Sequence, residues 1–407
     1  MYSNTGINLL TILIHIDWNR RLPFYRRLAR ALKALGHEVV FLSSSMAAWS
    51  ELRWQGETAA LCRFGHTTVD APRLDDTIEA AALQWPQTRC AQLYTGTILA
   101  ATRIHNLQPF DGILLWNGGS VAGKALTDFA VRHDIWTGFL EISNISGKLF
   151  VDSQGANARA HIAAKPDILM RYPVSEELFN TWKQSFLAQK RNTHVVPQSM
   201  DRQRFNSGAI LDLIGIFAGV PWTRTETMSS KTRRILLRRG PASEILQEDA
   251  FDITGTDYVF LPLQLSTDTN VLLNSTVNNE VALYRAANEA QEMGCKLVVK
   301  LHPAEVDPAF ARRVRALQVT LGFLVSRANT FVLMEHARLI ATINSTVGIE
   351  ARLLRRPVTI YGNALYTNFT DAHLRNYILG WLLDIDHTAT SEIPPEQAAA
   401  LLERCRV

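Results

Sequence analysis

The sequence is poor in cysteine and has no long apolar run. Its 407 residues include four cysteines, at positions 62, 90, 295 and 405, which lack the spacing of a zinc site or a disulfide framework. The apolar run within residues 1–17 is broken by polar residues after a few positions, and no basic leader precedes it. These features argue against a signal peptide or a membrane span, so we expect a cytoplasmic protein.

A large excess of charge of one sign is also absent. There are 42 Lys and Arg and 38 Asp and Glu, for a formal net charge of +4, which gives no support to nucleic-acid binding. Two segments are nevertheless basic: Arg20, Arg21, Arg26, Arg27 and Arg30 in one, and Lys231, Arg233, Arg234, Arg238 and Arg239 in the other. Each cluster suits an anionic membrane surface or an acidic substrate, and a solvated helix face is the plainer alternative.

Prolines number only 15, and 47% of the residues are hydrophobic, which is typical of an ordinary globular protein. The length predicts two or three domains, and we expect two. The first begins with a strand pattern at 7–16, a helix pattern at 22–36 and a strand pattern at 37–43. A second strand, helix and strand follow within 112–141. This β-α-β order predicts an N-terminal Rossmann-like domain over residues 1–165.

A second β-α-β domain is predicted over residues 248–370. Its strand patterns lie at 258–264, 295–300, 339–344 and 357–362, and a helix pattern lies at 278–293. The residues between the two domains, 166–247, are predicted to be a mostly helical connector or insertion. Residues 371–407 are predicted to be C-terminal helices that pack back on the N-terminal domain.

Two of these strands deliver polar residues to the same edge of the second sheet. Lys300, His302 and Pro303 end one strand, and Asn344–Thr346 end another, just before a helix pattern that includes Glu350. In open α/β sheets ligands bind beyond the carboxyl ends of the strands, where helix N-termini favour anions. The pattern predicts a site for a phosphate-bearing ligand. The Gly-x-x-x-x-Gly-Lys-Ser/Thr loop of nucleoside-triphosphate hydrolases is absent.

The candidate residues also have plainer structural interpretations. A histidine before a proline, such as His302, often caps a turn, and Ser345 equally fits an ordinary helix N-cap. Asp268, four residues after Gln264 at a strand-to-helix junction, is most often a cap as well. In a glycosyl-transfer site the same carboxylate attacks or stabilises an oxocarbenium-like centre.

Glu141 and Asp152 are the acidic candidates in the first domain. They stand in a segment rich in turn formers, and either one is a candidate acid or base.

Taken in order, these motifs resemble the capsular polysaccharide biosynthesis glycosyltransferases of Gram-negative bacteria, in particular the β-Kdo transferases that build the lipid-attached linker. The pieces that carry the resemblance are Phe24-Tyr-Arg-Arg-Leu-Ala, Asn117-Gly, Glu141 with Val151-Asp152-Ser-Gln-Gly155-Ala-Asn157, Pro262-Leu-Gln264 with Asp268, Lys300-Leu-His302-Pro303, Ile343-Asn-Ser-Thr-Val-Gly-Ile-Glu350-Ala, and Arg356-Pro-Val with Tyr361-Gly-Asn-Ala-Leu-Tyr366. Together they span roughly half of the chain.

The resemblance implies an α/β, GT-B-like fold in which two Rossmann-like domains face each other across a cleft. The N-terminal domain would take the acceptor, and the C-terminal domain would hold a CMP-Kdo donor substrate, with no cofactor and no metal. The donor-binding residues would be Gln264, Lys300, His302, Pro303, Asn344, Ser345, Thr346 and Glu350. Asp268 would be the nucleophile or stabiliser of a retaining double displacement, and Glu141 or Asp152 would handle the acceptor proton.

The resemblance also implies partners. The acceptor would be a lipid or glycolipid, and other capsule biosynthesis proteins would be partners. The enzyme would lie in the cytoplasm, peripherally on the inner face of the inner membrane. Nucleic acid is not expected.

The chain departs from the family pattern after Glu141, where Ile142-Ser-Asn-Ile-Ser-Gly147 replaces the usual Gly-x-x-Pro turn. Three alternatives stay open. One is a sugar-nucleotide 2-epimerase-like enzyme, although its Asp-Ser-Gly-Gly turn is replaced here by Asn344-Ser345-Thr346-Val347. Another is a transferase for a different CMP-sugar, such as sialic acid. The third is a non-catalytic capsule-assembly partner, against which the intact Asp268 and His302 argue.

Overall fold

A computed structural model describes residues 9–66, 71–143, 145–192, 208–221, 245–305 and 307–407. The chain divides into two compact units. The first contains the described residues up to Pro173, residues 208–221 and Asn376–Val407. The second contains residues 174–192 and 245–375. The second basic cluster predicted above, Lys231 to Arg239, lies outside the described residues.

The first unit is built on a sheet with six strands among the described residues. They are β1 (Thr11–Ile16), β2 (Glu38–Ser43), β3 (Ala59–Leu61), β4 (Gly112–Trp116), β5 (Trp136–Ile142) and β6 (Leu149–Asp152). Their order across the sheet is β3-β2-β1-β4-β5-β6, and all neighbours are parallel except β6, which runs antiparallel to β5. The strand order reverses direction between β1 and β4.

The second unit repeats the same plan with a sheet of five parallel strands in the described part of the chain. They are β7 (Tyr258–Pro262), β8 (Lys296–Lys300), β9 (Leu324–Val325), β10 (Leu339–Thr342) and β11 (Val358–Ile360). Their order is β11-β10-β7-β8-β9, so the reversal falls between β7 and β10. Both sheets therefore have the strand order of a Rossmann fold. The predicted α/β class with two Rossmann-like domains is confirmed.

Helices connect the strands. They are α1 (Leu22–Ala34), α2 (Met46–Trp54), α3 (Ile78–Ala81), α4 (Gln87–Leu107), α5 (Val121–Arg132), α6 (His161–Ala164), α7 (Glu176–Asn192), α8 (Gly208–Phe217), α9 (Thr269–Asn274), α10 (Asn279–Glu292), α11 (Pro308–Leu321), α12 (Thr330–His336), α13 (Val347–Leu353), α14 (Asp371–Asn376) and α15 (Pro395–Arg404). Short 3₁₀ turns lie at Asn19–Arg21, Asn157–Arg159 and Pro166–Arg171, and a π-helical turn lies at Tyr377–Trp381.

Two helices of the predicted connector fall in different units. Helix α7 belongs to the second unit, and α8 belongs to the first. Helix α15, near the end of the chain, packs against α1 in the first unit. None of the helices in the described parts of the chain is long and apolar enough to cross a membrane.

Each sheet is buried on both faces. In β1, Ile12, Ile14 and Ile16 pack into one core cluster, whereas Leu13 packs into the cluster on the other side. Strand β7 alternates in the same way. Burying such a side chain contributes roughly 1.5–3 kcal/mol, so strands covered by helices on both faces carry nearly continuous apolar runs. These runs end at the carboxyl edge, where the polar residues of the next section begin.

The arginines of the first basic cluster are used inside the first unit. Arg21 pairs with Asp17, Arg26 with Glu51 and Arg30 with Glu392, while the buried Arg27 donates to the backbone carbonyls of Asp386 and Ser391. The cluster thus ties α1 to its neighbours, while the side chains of Arg26 and Arg30 remain partly exposed to solvent.

Candidate functional site

The carboxyl ends of β7 and β10 form the best-defined polar site. These two strands are neighbours, and the strand order reverses between them. The connections that leave them therefore diverge to opposite sides of the sheet, and ligands of open α/β sheets bind in the crevice left at such a point. The residues that follow the two strands include Gln264, Asp268 and Asn344.

Gln264 joins the two strand ends through its side-chain amide. Its Nε2 donates to Asn344 Oδ1 at 3.0 Å and to Asp268 Oδ2 at 3.1 Å. Its Oε1 accepts the backbone N–H of Asn344 at 3.1 Å. Gln264 and Asn344 are both buried. The structure thus brings three of the predicted site residues into one hydrogen-bonded group.

Two further asparagines, which the sequence alone did not single out, hold this group in place. Asn279 accepts the N–H of Gln264 at 3.1 Å and donates to its carbonyl at 2.9 Å. Asn344 donates to the carbonyl of Asn270 at 3.0 Å, and Asn270 donates back to the carbonyl of Asn344 at 3.3 Å. The available signal was the run of asparagines at the predicted helix starts. Because the amides satisfy buried backbone groups, they fix the geometry at this edge.

Asp268 both caps helix α9 and lies in the candidate site beside Gln264. Its Oδ1 accepts the N–H of Asn270 at 2.9 Å at the start of α9, and its Oδ2 accepts from Gln264. The side chain is half-buried. A carboxylate oxygen has two lone pairs, so these bonds orient Asp268 without using all of its acceptor capacity.

His302 follows β8 and has a defined tautomer. Its Nδ1 accepts the N–H of Ala304 at 3.1 Å, so the neutral ring carries its proton on Nε2 and that nitrogen is a donor. The ring is half-buried, and Pro303 is exposed. The turn-capping role and a ligand-binding role therefore use different ring nitrogens.

Glu305, which the sequence did not single out, ties the loop after β8 to the loop after β7. Its Oε2 accepts the N–H of Ser266 at 2.8 Å, and its Oε1 accepts the N–H of Asp307 at 2.8 Å. The residue is buried. His302 and Asp268 therefore lie on two loops that one carboxylate holds together.

The turn after β10 uses its backbone groups internally. The N–H of Ser345 donates to Thr342 Oγ1, that of Val347 to Ser345 Oγ, and that of Gly348 to the carbonyl of Ser345. Tyr366 also donates its hydroxyl to that carbonyl. Helix α13 begins at Val347, with Thr346 as an N-cap that makes no side-chain cap bond. Three N–H groups of this predicted anion site are therefore used within the turn, and the side chains of Ser345 and Thr346 are half-buried and exposed, respectively.

Lys300 and Glu350 are engaged elsewhere in the second unit. The Lys300 amine donates to the carbonyl of Ala328, after β9, and burial lowers its pKa. Glu350 forms an ion pair with Lys190 of α7 at 2.6 Å. The structure does not bring these two side chains into the Gln264 group.

The first unit has a second polar site at its own reversal point, beyond β1 and β4. Asn117 donates from Nδ2 to Glu141 Oε2 at 3.0 Å, and the N–H of Ile142 donates to Glu141 Oε1 at 2.8 Å. Burial raises the pKa of Glu141, and the charge of Arg21 opposes that change. Arg21 pairs with Asp17, and its guanidinium lies 4.0 Å from the ring centre of Trp116. A raised pKa suits a carboxyl group that exchanges a proton near neutral pH.

Several buried polar atoms around this second site have no hydrogen-bond partner within the described residues. They are both side-chain atoms of Asn19, Oδ1 of Asp17 and the hydroxyl of Tyr25. Burial is also the main reason that the pKa of Tyr25 lies well above its ordinary value. Unpaired buried polar groups are costly and call for an explanation, and a bound ligand's hydroxyl groups would satisfy them. The sequence signal was the Asp17-Trp18-Asn19 run at the end of β1.

Asp152, the other acidic candidate, is a structural carboxylate. It is fully buried, and its Oδ1 accepts the N–H groups of Gln154, Gly155 and His161 at 2.8, 3.3 and 2.7 Å. Its Oδ2 accepts the N–H of Ile162 at 3.2 Å. These bonds fold the loop after β6 around the carboxylate. The geometry favours Glu141 over Asp152 for proton transfer.

Among the described residues, no group of three or more His, Cys, Asp or Glu side chains is arranged to hold a metal ion.

Comparison with known proteins places the second unit's site inside a family region. Residues 223–370 match the model of the family described as capsule polysaccharide biosynthesis protein. This region contains Gln264, Asp268, His302 and Asn344, so the predicted resemblance to capsule biosynthesis proteins is confirmed.

One curated protein and several solved structures are also similar. Protein FixF of Sinorhizobium fredii is 34% identical over 128 residues, which are 31% of this chain and 31% of FixF. The Thermosulfurimonas dismutans KpsC β-Kdo 2,7 transferase has a TM-score of 0.47 at 11% identity, over 97% of this chain and 99% of that one. The β-Kdo 2,4 transferase of the same KpsC gives 0.44 at 15% identity, over 95% and 97%. The UDP-GlcNAc 2-epimerase of Methanocaldococcus jannaschii gives 0.28 at 11% identity, over 97% and 92%. Because these TM-scores lie below 0.5, they assign no activity to this chain.

Proposed function

We propose that this chain, whose residues 223–370 match the model of the capsule polysaccharide biosynthesis protein family, is a glycosyltransferase of that family. It moves Kdo from CMP-Kdo to a lipid or Kdo-lipid acceptor in capsular polysaccharide linker synthesis, with retention of configuration. The observation that supports this most is the Gln264–Asp268–Asn344 group, which holds an oriented carboxylate at the ligand-binding edge of the family-matched sheet.

The CMP-Kdo substrate is held without a metal, by hydrogen bonds from an imidazole ring and from neutral side chains. His302 presents Nε2 as a hydrogen-bond donor to the CMP phosphate, because its Nδ1 already accepts the N–H of Ala304. The hydroxyls of Ser345 and Thr346 bind further phosphate oxygens. Asn344 and Gln264 keep these groups in register by joining the ends of β7 and β10.

Asp268 is the nucleophile of a double displacement. In the first step a carboxylate oxygen of Asp268 bonds to the anomeric carbon as the bond from that carbon to the CMP phosphate oxygen breaks, and CMP leaves with the electron pair. In the second step the acceptor hydroxyl oxygen displaces Asp268 from the same carbon. Two inversions give net retention. Gln264 donates to Asp268 Oδ2 and so holds the carboxylate in a fixed orientation.

The acceptor hydroxyl gives its proton to Glu141. Burial raises the pKa of this carboxyl group, which makes it a better base than an exposed glutamate near neutral pH. Asn117 fixes one of its oxygens, and Arg21 limits the rise in pKa by its charge. Asp17, Asn19 and Tyr25 supply the polar groups that bind the acceptor's other hydroxyls.

The proposed acceptor places the enzyme at the cytoplasmic face of the inner membrane, attached peripherally. Partners of the proposed reaction are the CMP-sugar donor, an anionic lipid surface and other capsule biosynthesis proteins.

The test is CMP release from CMP-Kdo by the purified protein with phosphatidylglycerol-type acceptors. We expect release with CMP-Kdo and much less with CMP-sialic acid. Asp268→Ala should abolish transfer while CMP still binds, and His302→Ala should weaken CMP binding. Asp307→Ala is the matched control, because Asp307 also caps a helix, accepting the N–H of Ala309 at 2.9 Å. No CMP release with any lipid or glycolipid acceptor would overturn the proposal, and full activity of Asp268→Ala would overturn the nucleophile assignment.

A further inference from the structure

Helix α8 of the first unit exposes an apolar face and buries its one charged residue, which is the opposite of an ordinary surface helix. Its buried members are Asp212 and Gly215. Five of its six large apolar side chains are exposed instead: Ile210, Leu211, Ile214, Ile216 and Phe217, the last at 94% of its full exposure, whereas Leu213 is half-buried. A surface helix of a globular protein normally turns its apolar stripe inward. An exposed apolar patch of this kind marks a site of interaction.

The orientation of α8 is fixed by specific contacts with α2. Asp212 Oδ1 accepts the hydroxyl of Ser45 at 2.7 Å and the N–H of Ala47 at 3.0 Å, at the start of α2. Gly215 lies so close to α2 that a Cβ there would be 2.8 Å from the Cβ of Met46. Because Asp212 and Gly215 are three residues apart, they share one helix face. The only acidic residue of α8 is thereby buried, and its outer face carries no charge.

The apolar face continues into a groove beside α2. Trp54, at the end of α2, is 87% exposed, and it lines a cavity of about 450 Å³ together with Leu211 of α8. The lining also includes the apolar Leu22, Ala47 and Ala48 and the polar Ser50, Glu51 and Asn19. Asn19 is one of the buried residues whose side chain has no partner within the described residues. The groove thus runs between the exposed apolar face and the polar site of the first unit.

We propose that the exposed face of α8 and Trp54 form a docking surface that inserts into an anionic lipid monolayer. A helix of ten residues is about 15 Å long, too short to span a bilayer but suited to lying in its interface. Tryptophan is favoured at that depth. Insertion of this face into the lipid does not depend on the proposed transferase function.

Charge and size favour a lipid over a protein as the occupant. In the sequence, α8 is followed by residues 222–244, which include six basic residues against two acidic ones, and a basic segment that flanks an apolar helix in sequence favours anionic lipids. A stable protein interface uses roughly 20–30 residues on each side. Among the described residues, the exposed apolar face consists of five side chains of α8 and Trp54, far fewer than that number.

The experiment is sedimentation of the full-length protein with vesicles of phosphatidylcholine, alone or mixed with phosphatidylglycerol. We expect binding to the mixed vesicles that weakens with salt. The double change Ile214→Ser with Phe217→Ser should reduce the bound-to-free ratio at least about tenfold, because two large apolar side chains leave the lipid. The matched control is Leu107→Ser with Val131→Ser, which removes exposed apolar residues from α4 and α5 of the same unit.

Each outcome decides the matter. Loss of vesicle binding in the α8 variant alone supports the docking surface. Equal binding by wild type and the α8 variant overturns it. A wild-type protein that does not bind vesicles containing phosphatidylglycerol also overturns it. If the α8 variant instead turns an oligomer into a monomer by light scattering, with vesicle binding unchanged, the face is a protein interface and the proposal is wrong. Vesicle binding is measured without a CMP-sugar, so it does not depend on transferase activity. A protein that binds vesicles through α8 but releases no CMP in the separate transferase assay would refute only the proposed transferase function.

Discussion

Glu79 should make the stability of the first unit depend on pH. It is fully buried in α3, its Oε2 accepts the N–H of Val121 at 2.8 Å, and its Oε1 has no hydrogen-bond partner within the described residues. Burial raises the pKa of this carboxyl from 4.5 to about 7, against the opposing effect of the Val121 N–H. Val121 begins α5, directly after the loop that carries Asn117, so Glu79 fixes the start of the helix that follows this loop of the polar site.

The magnitude follows from the two pKa values. One pKa unit corresponds to about 1.4 kcal/mol, so raising the pKa from 4.5 to about 7 corresponds to about 3 kcal/mol. The folded protein holds the Glu79 proton more tightly than the unfolded chain does. The free energy of unfolding should therefore fall as pH rises from about 4.5 to about 7, with the full loss present above that range. Glu79→Gln removes the charge while its side-chain oxygen still accepts the Val121 N–H.

The assay is urea denaturation of wild type and Glu79→Gln between about pH 5 and about pH 8. At the acidic end the two proteins should differ little, and at the alkaline end the variant should be more stable by up to about 3 kcal/mol. The same substitution at Glu396, exposed on α15, is the control for handling and charge. The pH-dependent contributions of the other titrating groups cancel in the difference between the two unfolding free energies, because both proteins contain these groups. A stability difference that does not change with pH would refute the reasoning.

Other changes test the two polar sites. Gly348→Ala places a Cβ 2.1 Å from the hydroxyl of the buried Tyr366, so it should lower the free energy of unfolding by about 1–3 kcal/mol and weaken CMP binding; unchanged urea and CMP-binding curves would contradict the packing. Asp152→Asn should destabilise the first unit by about 1–3 kcal/mol in urea, because an amide cannot replace both of its accepting oxygens. Glu141→Gln should instead abolish transfer and leave stability nearly unchanged. If Asp152→Asn keeps full stability but loses transfer, the two roles are exchanged.

The fold was largely predictable because burial on both faces leaves a strong pattern. Strands β4 and β7 are apolar runs bounded by turn residues, β1 is mostly apolar, and the helix between β1 and β2 shows its period clearly. The short strands β3 and β9 have three and two residues and carry too little pattern to be found.

The candidate site was predictable only in part. Gln264, Asp268 and Asn344 follow strands, and strand order alone brings strand ends together. The contacts of Asn279 and Glu305 depend on how loops return over the sheet edge, across 15 and 39 residues of sequence, and no local pattern encodes that path. The role of Asp152 could not be predicted from the sequence either. A turn-rich segment around an acid looks the same whether the carboxylate faces a ligand or its own loop, and here the N–H groups of four neighbours decide for the loop.

The chemistry of Gln264 explains why a neutral amide stands at the centre of the second unit's site. The position must donate to a carboxylate, Asp268, and accept an N–H from Asn344 at the same time. A glutamate there would accept but would repel Asp268, and a lysine would donate but could not accept. An amide does both without changing the charge beside Asp268. The carboxylate therefore keeps a fixed orientation, which the proposed nucleophile in glycosyl transfer requires.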